Sequence, residues 1–289
     1  MDNLISSPRT ILVLGGGGMK GMAHIGVWRA LEEREIRIDA IIGTSVGSLI
    51  GAMIAHGLRA DELEAIARTI KKDDVVQVNR RIYLPGGIRQ LSLFSGRRLQ
   101  QLIARVVPTT SFSDLKIPLR INAVSLTTGE EFWFGHDTGN VLPLPQAIYA
   151  SCALPLYFPP LKWNGHHLSD GALRTALGIN EALRWGATTV IASAVHAELR
   201  IAPNDWISRG MIAVHDRTMQ ILADERKRHY ERECADAAVL YIRPDISNLN
   251  AFEFGKTEEM IESGYAATIQ VLDEGSRSAT WPHSWPATA

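Results

Sequence analysis

The sequence predicts an α/β fold built on a parallel sheet, and three observations near its start predict it. A continuous apolar run, Thr10-Ile11-Leu12-Val13-Leu14, is stopped by four glycines, as expected of a strand buried on both faces. The segment Gly21 to Arg34 follows at once, with Met22, Ile25, Val27, Trp28 and Leu31 at helical spacing and a charged end at Glu32-Glu33-Arg34-Glu35. A second apolar run, Ile38 to Ile42, leads through Gly43-Thr44-Ser45 into a small-residue helix that reaches His56-Gly57. This is a βαβα opening, for which a right-handed parallel unit is expected.

Further along, Asp61 to Lys72 reads as a helix with Leu63, Ile66, Ala67 and Ile70 on one face, and the run Lys71-Lys72-Asp73-Asp74 ends it in solvent. From Val75 to Phe94 periodicity is poor and Pro85-Gly86-Gly87 interrupts it, so an irregular insertion is expected. Ser95 is placed to cap a helix from Gly96 to Val107. Leu119 to Leu126 and Glu130 to Phe134 read as two strands joined across Thr127-Thr128-Gly129. Asn164-Gly165, between Leu161-Lys162-Trp163 and His166-His167-Leu168, is a two-residue hairpin signal that delivers the chain to Asp170-Gly171. Thr188 to Val195 reads as a core strand, Asp205 to Glu233 as one or two amphipathic helices, Ala237 to Ile242 as a strand, and Lys256 to Leu272 as a closing helix. The expected domain covers residues 8–275, with 276–289 a loose tail.

Composition narrows the function. Hydrophobic residues at 46% and charged residues at 21% are those of an ordinary globular protein, and a net charge of -1 offers no broad attraction for nucleic acid. Cys152 and Cys234 lack the paired spacing of zinc or redox motifs, which favours core thiols in a reducing compartment. With no signal peptide pattern and no apolar run long enough to span a bilayer, a cytoplasmic protein is expected.

Gly43-Thr44-Ser45-Val46-Gly47 fits G-x-S-x-G between a buried strand and a helix, the setting of a nucleophile elbow. The helix N-terminus behind Ser45 favours negative charge there. Upstream, Gly15-Gly16-Gly17-Gly18-Met19-Lys20-Gly21 joins a strand to a helix, and its backbone N–H groups can converge on an anion such as the oxyanion of a tetrahedral intermediate. The rival reading is a dinucleotide site, since Gly16, Gly18 and Gly21 also satisfy G-x-G-x-x-G. That site needs an acidic residue at the end of the second strand, whereas Asp39 stands at its beginning. A P-loop fails because Lys20 is followed by Gly21.

A serine hydroxyl needs a base. His24 reads as a core or supporting residue, and His166 and His167 are strand neighbours that must face opposite ways, leaving His196 and His215 as conceivable triad members. Asp170 is the other solution: it follows a short strand and precedes Gly171-Ala172, so its carboxylate can project into a crevice, although an Asp before Gly is ordinarily a turn former.

Together the glycine loop, G-x-S-x-G and Asp170-Gly171-Ala172 resemble the patatin-like phospholipases, in particular the bacterial cytoplasmic type. Gly21-Met22-Ala23-His24-Ile25-Gly26-Val27, Ala150-Ser151-Cys152-Ala153-Leu154-Pro155, Phe158-Pro159-Pro160, Ala235-Asp236 and Ile242-Arg243-Pro244-Asp245 extend the likeness over about residues 10 to 270. The resemblance implies a three-layer α/β/α fold with a mainly parallel central sheet. It also implies a Ser45–Asp170 dyad, an oxyanion hole from the N–H groups of Gly16, Gly17, Gly18 and Met19, and motif support from Lys20, Gly21, Gly43, Gly47 and Gly171. The implied chemistry is phospholipase A-type or lysophospholipase hydrolysis of a lipid or acyl-ester substrate, with no metal or other cofactor and with transient contact to a membrane surface. Residues 82–94 have the composition to line or cover an acyl slot, and Arg89, Arg97 and Arg98 are set either to meet anionic headgroups or to stand solvated. One departure is the stretch Arg174-Thr175-Ala176-Leu177, where the family often continues towards Asn and Pro. It leaves open a non-catalytic acyl-ligand-binding or regulatory protein on the same scaffold.

Overall fold

A computed structural model of the chain describes residues 9–195, 206–233, 239–246 and 248–275. Within them, the strands are β1 (Thr10–Leu14), β2 (Ala40–Gly43), β3 (Leu119–Ser125), β4 (Glu131–Gly135), β5 (Leu161–Trp163), β6 (His166–Asp170), β7 (Thr189–Ser193) and β8 (Val239–Ile242). The helices are α1 (Ala23–Glu33), α2 (Val46–His56), α3 (Ala60–Thr69), α4 (Lys72–Val75), α5 (Arg97–Val106), α6 (Leu144–Cys152), α7 (Ile179–Arg184), α8 (Met211–Glu233) and α9 (Thr257–Gly275).

One sheet runs in the order β5-β6-β3-β2-β1-β7-β8, with β4 also paired to β3. The five strands from β3 to β8 along that path are parallel to one another, while β4 and β6 each pair antiparallel with β3, and β5 pairs antiparallel with β6. The opening βαβ unit and both hairpins read from the sequence are present. At the β5–β6 turn Asn164 has φ 44° and Gly165 φ 82°, the pair of positive φ values that a tight twisted hairpin requires.

Alternation along β1 builds the layers. Leu12 and Leu14 enter one apolar cluster with α1, α2, α5, α6 and α9, whereas Ile11 and Val13 enter another with Leu177, Ile179 and Ala182. Helices therefore cover both faces, one layer thick and the other thin, the thin one resting on the short α7. In the thick layer α9 lies hard against α1. A β-carbon on Gly26 would fall 1.8 Å from the Ile261 carbonyl oxygen, and one on Gly264 1.9 Å from that of Ala23. Outside this crossing, Arg29 pairs with Glu64 and Glu262, and Arg68 with Glu64 and Glu258, tying α1, α3 and α9 together.

Two local expectations change. Ser95 does not cap α5: its hydroxyl donates to Gln77 Oε1 at 2.7 Å, and Gly96 takes the N-terminal position. The helix over 61–72 ends at Thr69, and the charge run forms its own turn, α4, in which Asp74 accepts the Lys71 N–H and pairs with Arg105. The 75–94 insertion is irregular, as expected, with two 3-10 turns at Arg80–Tyr83 and Gly87–Arg89. No helix among the described residues is long and apolar enough to cross a membrane. Cys234, His196 and the tail 276–289 lie outside the described residues.

Candidate active site

The site forms where two strands meet end to end on a third. β4 pairs with one edge of β3, over residues 120–124. On the other edge, β2 pairs with the first part of β3, Gly43 opposite Ile121, and β6 arrives from the opposite direction with Asp170 opposite Ala123. The C-terminal ends of β2 and β6 thus face each other across one position, Asn122. That arrangement brings together residues 125 apart in the chain: Ser45 Oγ donates to Asp170 Oδ2 at 2.8 Å, with both side chains buried.

Ser45 leads from β2 into α2 with φ 53° and ψ −128°, a positive φ in a residue that carries a β-carbon. Such a conformation costs on the order of 1–3 kcal/mol and must be held by its surroundings. Three contacts hold it. The Ser45 N–H donates to Ser151 Oγ at 2.8 Å, the Ser48 hydroxyl donates to the Ser45 carbonyl at 2.6 Å, and Gly47 lets α2 start against β1, since a β-carbon there would fall 2.2 Å from the Leu14 oxygen.

Asp170 is fixed on its other side. The Ala172 N–H donates to Oδ1 at 2.8 Å and the Asp170 N–H donates to the Ala153 carbonyl at 3.1 Å, so Oδ2 is left for the serine. Burial pushes this carboxyl up to about 6, against the bonds from Ala172 and Ser45 that favour its charged form. Cys152 ends α6, the helix that also carries Ser151. Burial, then the charge of Asp170, pushes its thiol well above the usual thiol range.

The glycine loop runs beside the pair: a β-carbon on Gly16 would lie 3.1 Å from that of Ser45. Its four expected donors are not equivalent. The Gly16 N–H donates to the Ala176 carbonyl at 3.2 Å and the Met19 N–H to the Ala251 carbonyl at 2.8 Å. The N–H groups of Gly17 and Gly18 have no acceptor among the described residues. Gly18 has φ 60° and sits so close to the Ala251 oxygen, 2.3 Å from a would-be β-carbon, that only glycine fits. Lys20 is buried without a side-chain partner among the described residues, and desolvation pulls its ammonium down to about 8. Gly21, Gly43 and Gly171 stand where a β-carbon would collide with Val46, Ser48 and Asn122 respectively.

The histidines take no part in the pair: none is a hydrogen-bond partner of Ser45 or Asp170 among the described residues. His24 is buried; its Nε2 donates to the Gly15 carbonyl at 2.9 Å, so Nδ1 accepts from the Ser193 hydroxyl at 2.8 Å, and desolvation, pulling its pKa down to about 4, keeps it neutral. It fastens the start of the glycine loop. His166 and His167 face opposite ways, towards Ser125 and Thr127. His215, on α8, is engaged by Asp216 and the ring of Tyr157. Asp39, set aside as a ribose ligand, accepts the Thr10 N–H at 2.8 Å and pairs with Arg37.

The departing stretch at 174–177 is a clamp. Its Thr175 carbonyl accepts from Thr44 and from Asn122, its Ala176 carbonyl accepts from Gly16, and Arg174 donates to the Gly129 carbonyl. Ser151 and Asn122 are the supporting residues that sequence reasoning did not single out. The first lies in a stretch marked only by its likeness to the family, and the second carries no motif.

Residues 12–183, more than half of the chain, match the family model of patatin-like phospholipases. The chain belongs to that family. Patatin-like phospholipase domain-containing protein 6 of Mus musculus is 30% identical over 88% of this chain and 20% of its own length. The lysophospholipase NTE1 of Mycosarcoma maydis is 26% identical over 91% of this chain and 14% of its own. An uncharacterised NTE family protein of Mycobacterium tuberculosis is 33% identical over 58% of this chain and 44% of its own. The chain thus spans less than half the length of these curated relatives. Among solved structures, VipD from Legionella pneumophila shares the fold, with a TM-score of 0.56 over 93% of this chain and 67% of its own at 14% identity.

Proposed function

We propose that residues 8–275 form a serine acyl hydrolase that cleaves fatty-acyl esters of lipids, in the manner of a phospholipase A or a lysophospholipase. The observation that carries the reading is the buried 2.8 Å hydrogen bond from Ser45 Oγ to Asp170 Oδ2. Ser45 Oγ attacks the ester carbonyl carbon as its proton passes to Oδ2. The tetrahedral intermediate collapses, and the leaving alkoxide takes that proton from Asp170 and departs as the alcohol. Water then attacks the acyl-serine, gives a proton to Asp170, and the fatty acid leaves as the proton returns to Ser45.

A carboxylate near its ordinary pKa is a weak base for this task, and the upward push from burial makes Asp170 a better one. The free N–H groups of Gly17 and Gly18 are assigned to the oxyanion, with Gly16 and Met19 as the anchors that hold the loop open. The Lys20 ammonium adds positive charge to the same loop. One such preorganised donor is typically worth about 3 kcal/mol in acyl transfer. Family membership and a lysophospholipase among the relatives support a lipid ester as substrate.

Ser45→Ala and Asp170→Asn are each expected to lower turnover of p-nitrophenyl acyl esters and lysophospholipids by about 10³-fold or more, with the circular dichroism spectrum unchanged. Turnover that persists in purified Ser45→Ala would overturn the assignment. The second reading, a non-catalytic acyl-ligand-binding or regulatory protein on the same scaffold, is left open by the departure at Arg174-Thr175-Ala176. A fluorophosphonate separates the two: an activated Ser45 is labelled, and a mere binding pocket is not.

A further inference from the structure

Ion pairing among the arginines is uneven. Arg29, Arg34, Arg59, Arg68, Arg105 and Arg120 each have a carboxylate partner. Arg80, Arg81, Arg89, Arg97 and Arg98 are exposed and have none among the described residues. The reason is visible in the sequence: from Val75 to Ser113 there is no Asp or Glu at all. A stretch that carries five unpaired positive charges in a chain of net charge -1 is a local field built for negative partners.

The same stretch exposes apolar side chains. Tyr83 is 76% exposed, Leu91 71% and Leu84 61%. They sit on a loop closed at its neck, where Val78 bridges Phe94, the Asn79 N–H donates to the Leu93 carbonyl and the Ser95 N–H donates to the Gln77 carbonyl. The loop is also tied to the site. Leu93 and Phe94 donate to the carbonyls of Leu156 and Tyr157, three and four residues beyond Ala153, whose own carbonyl holds the Asp170 N–H. Tyr157 in turn donates to Asp216 on α8, whose first turn exposes Met211 and Ile212. Arginines interleaved with exposed tyrosine and leucine are what an interface of anionic headgroups above hydrocarbon requires.

We propose that the loop 76–98, with the first turn of α8, is the surface on which this protein docks to an anionic lipid bilayer, its arginines on headgroup phosphates and Tyr83, Leu84 and Leu91 in the interfacial layer. The proposal rests on the lipid-ester reading for its purpose, and its test does not depend on turnover. Ser45→Ala protein is sedimented with vesicles of phosphatidylcholine alone or mixed with phosphatidylglycerol. Binding to the mixed vesicles is expected, weakened by added salt. The triple variant Arg80→Gln/Arg81→Gln/Arg89→Gln is expected to raise Kd about fivefold per arginine, on the order of a hundredfold in all. Tyr83→Ser/Leu84→Ser/Leu91→Ser should weaken binding too, whereas the control Arg34→Gln/Arg59→Gln/Arg68→Gln should not. Thermal unfolding checks that each variant is folded. Equal binding to both vesicle types, no binding to either, or loop variants that bind like their parent would each overturn the proposal. Loss of hydrolysis in an otherwise docking-competent protein would count against the catalytic reading alone.

Discussion

Asp170 is held where water would ordinarily stabilise its charge and does not. Its folded pKa of about 6 lies above the unfolded value of 3.8, so its contribution to stability is fully present below the unfolded value and is lost as pH rises through 6. A shift of that size corresponds to about 3 kcal/mol against the fold at neutral pH. Asp170→Asn is therefore expected to melt at a higher temperature than the wild type at pH 8, with the gap closing near pH 4, in thermal unfolding across pH. On the proposed mechanism the same ionisation governs the rate, so ester turnover should climb with pH through about 6 as the base form appears. A flat profile across that range would remove Asp170 from the role of base. Ser45 and Asp170 were legible in the sequence because each sits in a backbone signature, G-x-S-x-G and Asp-Gly. Ser151 was not, because nothing local marks a hydroxyl that will accept an N–H from a residue 106 positions away. Nor does the sequence tell the loop donors apart, since the acceptors that occupy Gly16 and Met19 come from Ala176 and Ala251.

The crossing of α1 and α9 shows how far packing overrides propensity. Gly26 and Gly264 both lie within helices, where alanine is intrinsically better by roughly 1 kcal/mol. Here an alanine methyl would enter the backbone of the facing helix, so Gly26→Ala or Gly264→Ala is expected to destabilise by about 1–3 kcal/mol, read from urea unfolding. Because α1 follows directly from the glycine loop, esterase activity should fall with stability in these variants. Strands were the most legible elements: β1 and β2 are unbroken apolar runs, and the β5–β6 hairpin carries Asn164-Gly165. Helices α6 and α7 are not legible in the sequence. α7 spans six residues, too few to establish a period, and α6 begins at Leu144-Pro145 and is mostly buried, which blurs any polar face. The Ser95 cap failed because its hydroxyl had a better partner in Gln77 across the neck of the insertion.

The family match stops at residue 183, yet the molecule does not. β7 pairs along the whole of β1, β8 continues the sheet, and the Ala251 carbonyl anchors the glycine loop through Met19. A chain ended after residue 183 would leave one edge of β1 and one side of α1 uncovered. Such a fragment is expected to lack a cooperative melting transition and fluorophosphonate labelling, and a folded, labelled fragment would show the later strands to be dispensable. The meeting of β2 and β6 on β3 has a consequence for how the protein can change. Neither strand takes its position from the other; both are indexed by a shared template, one on each side of Asn122. The hairpin tip at Asn164-Gly165, distant from that index, can thus be lengthened or traded without altering the spacing of hydroxyl and carboxylate. A slip of a single rung on β3 would turn Asp170 to the far face of the sheet.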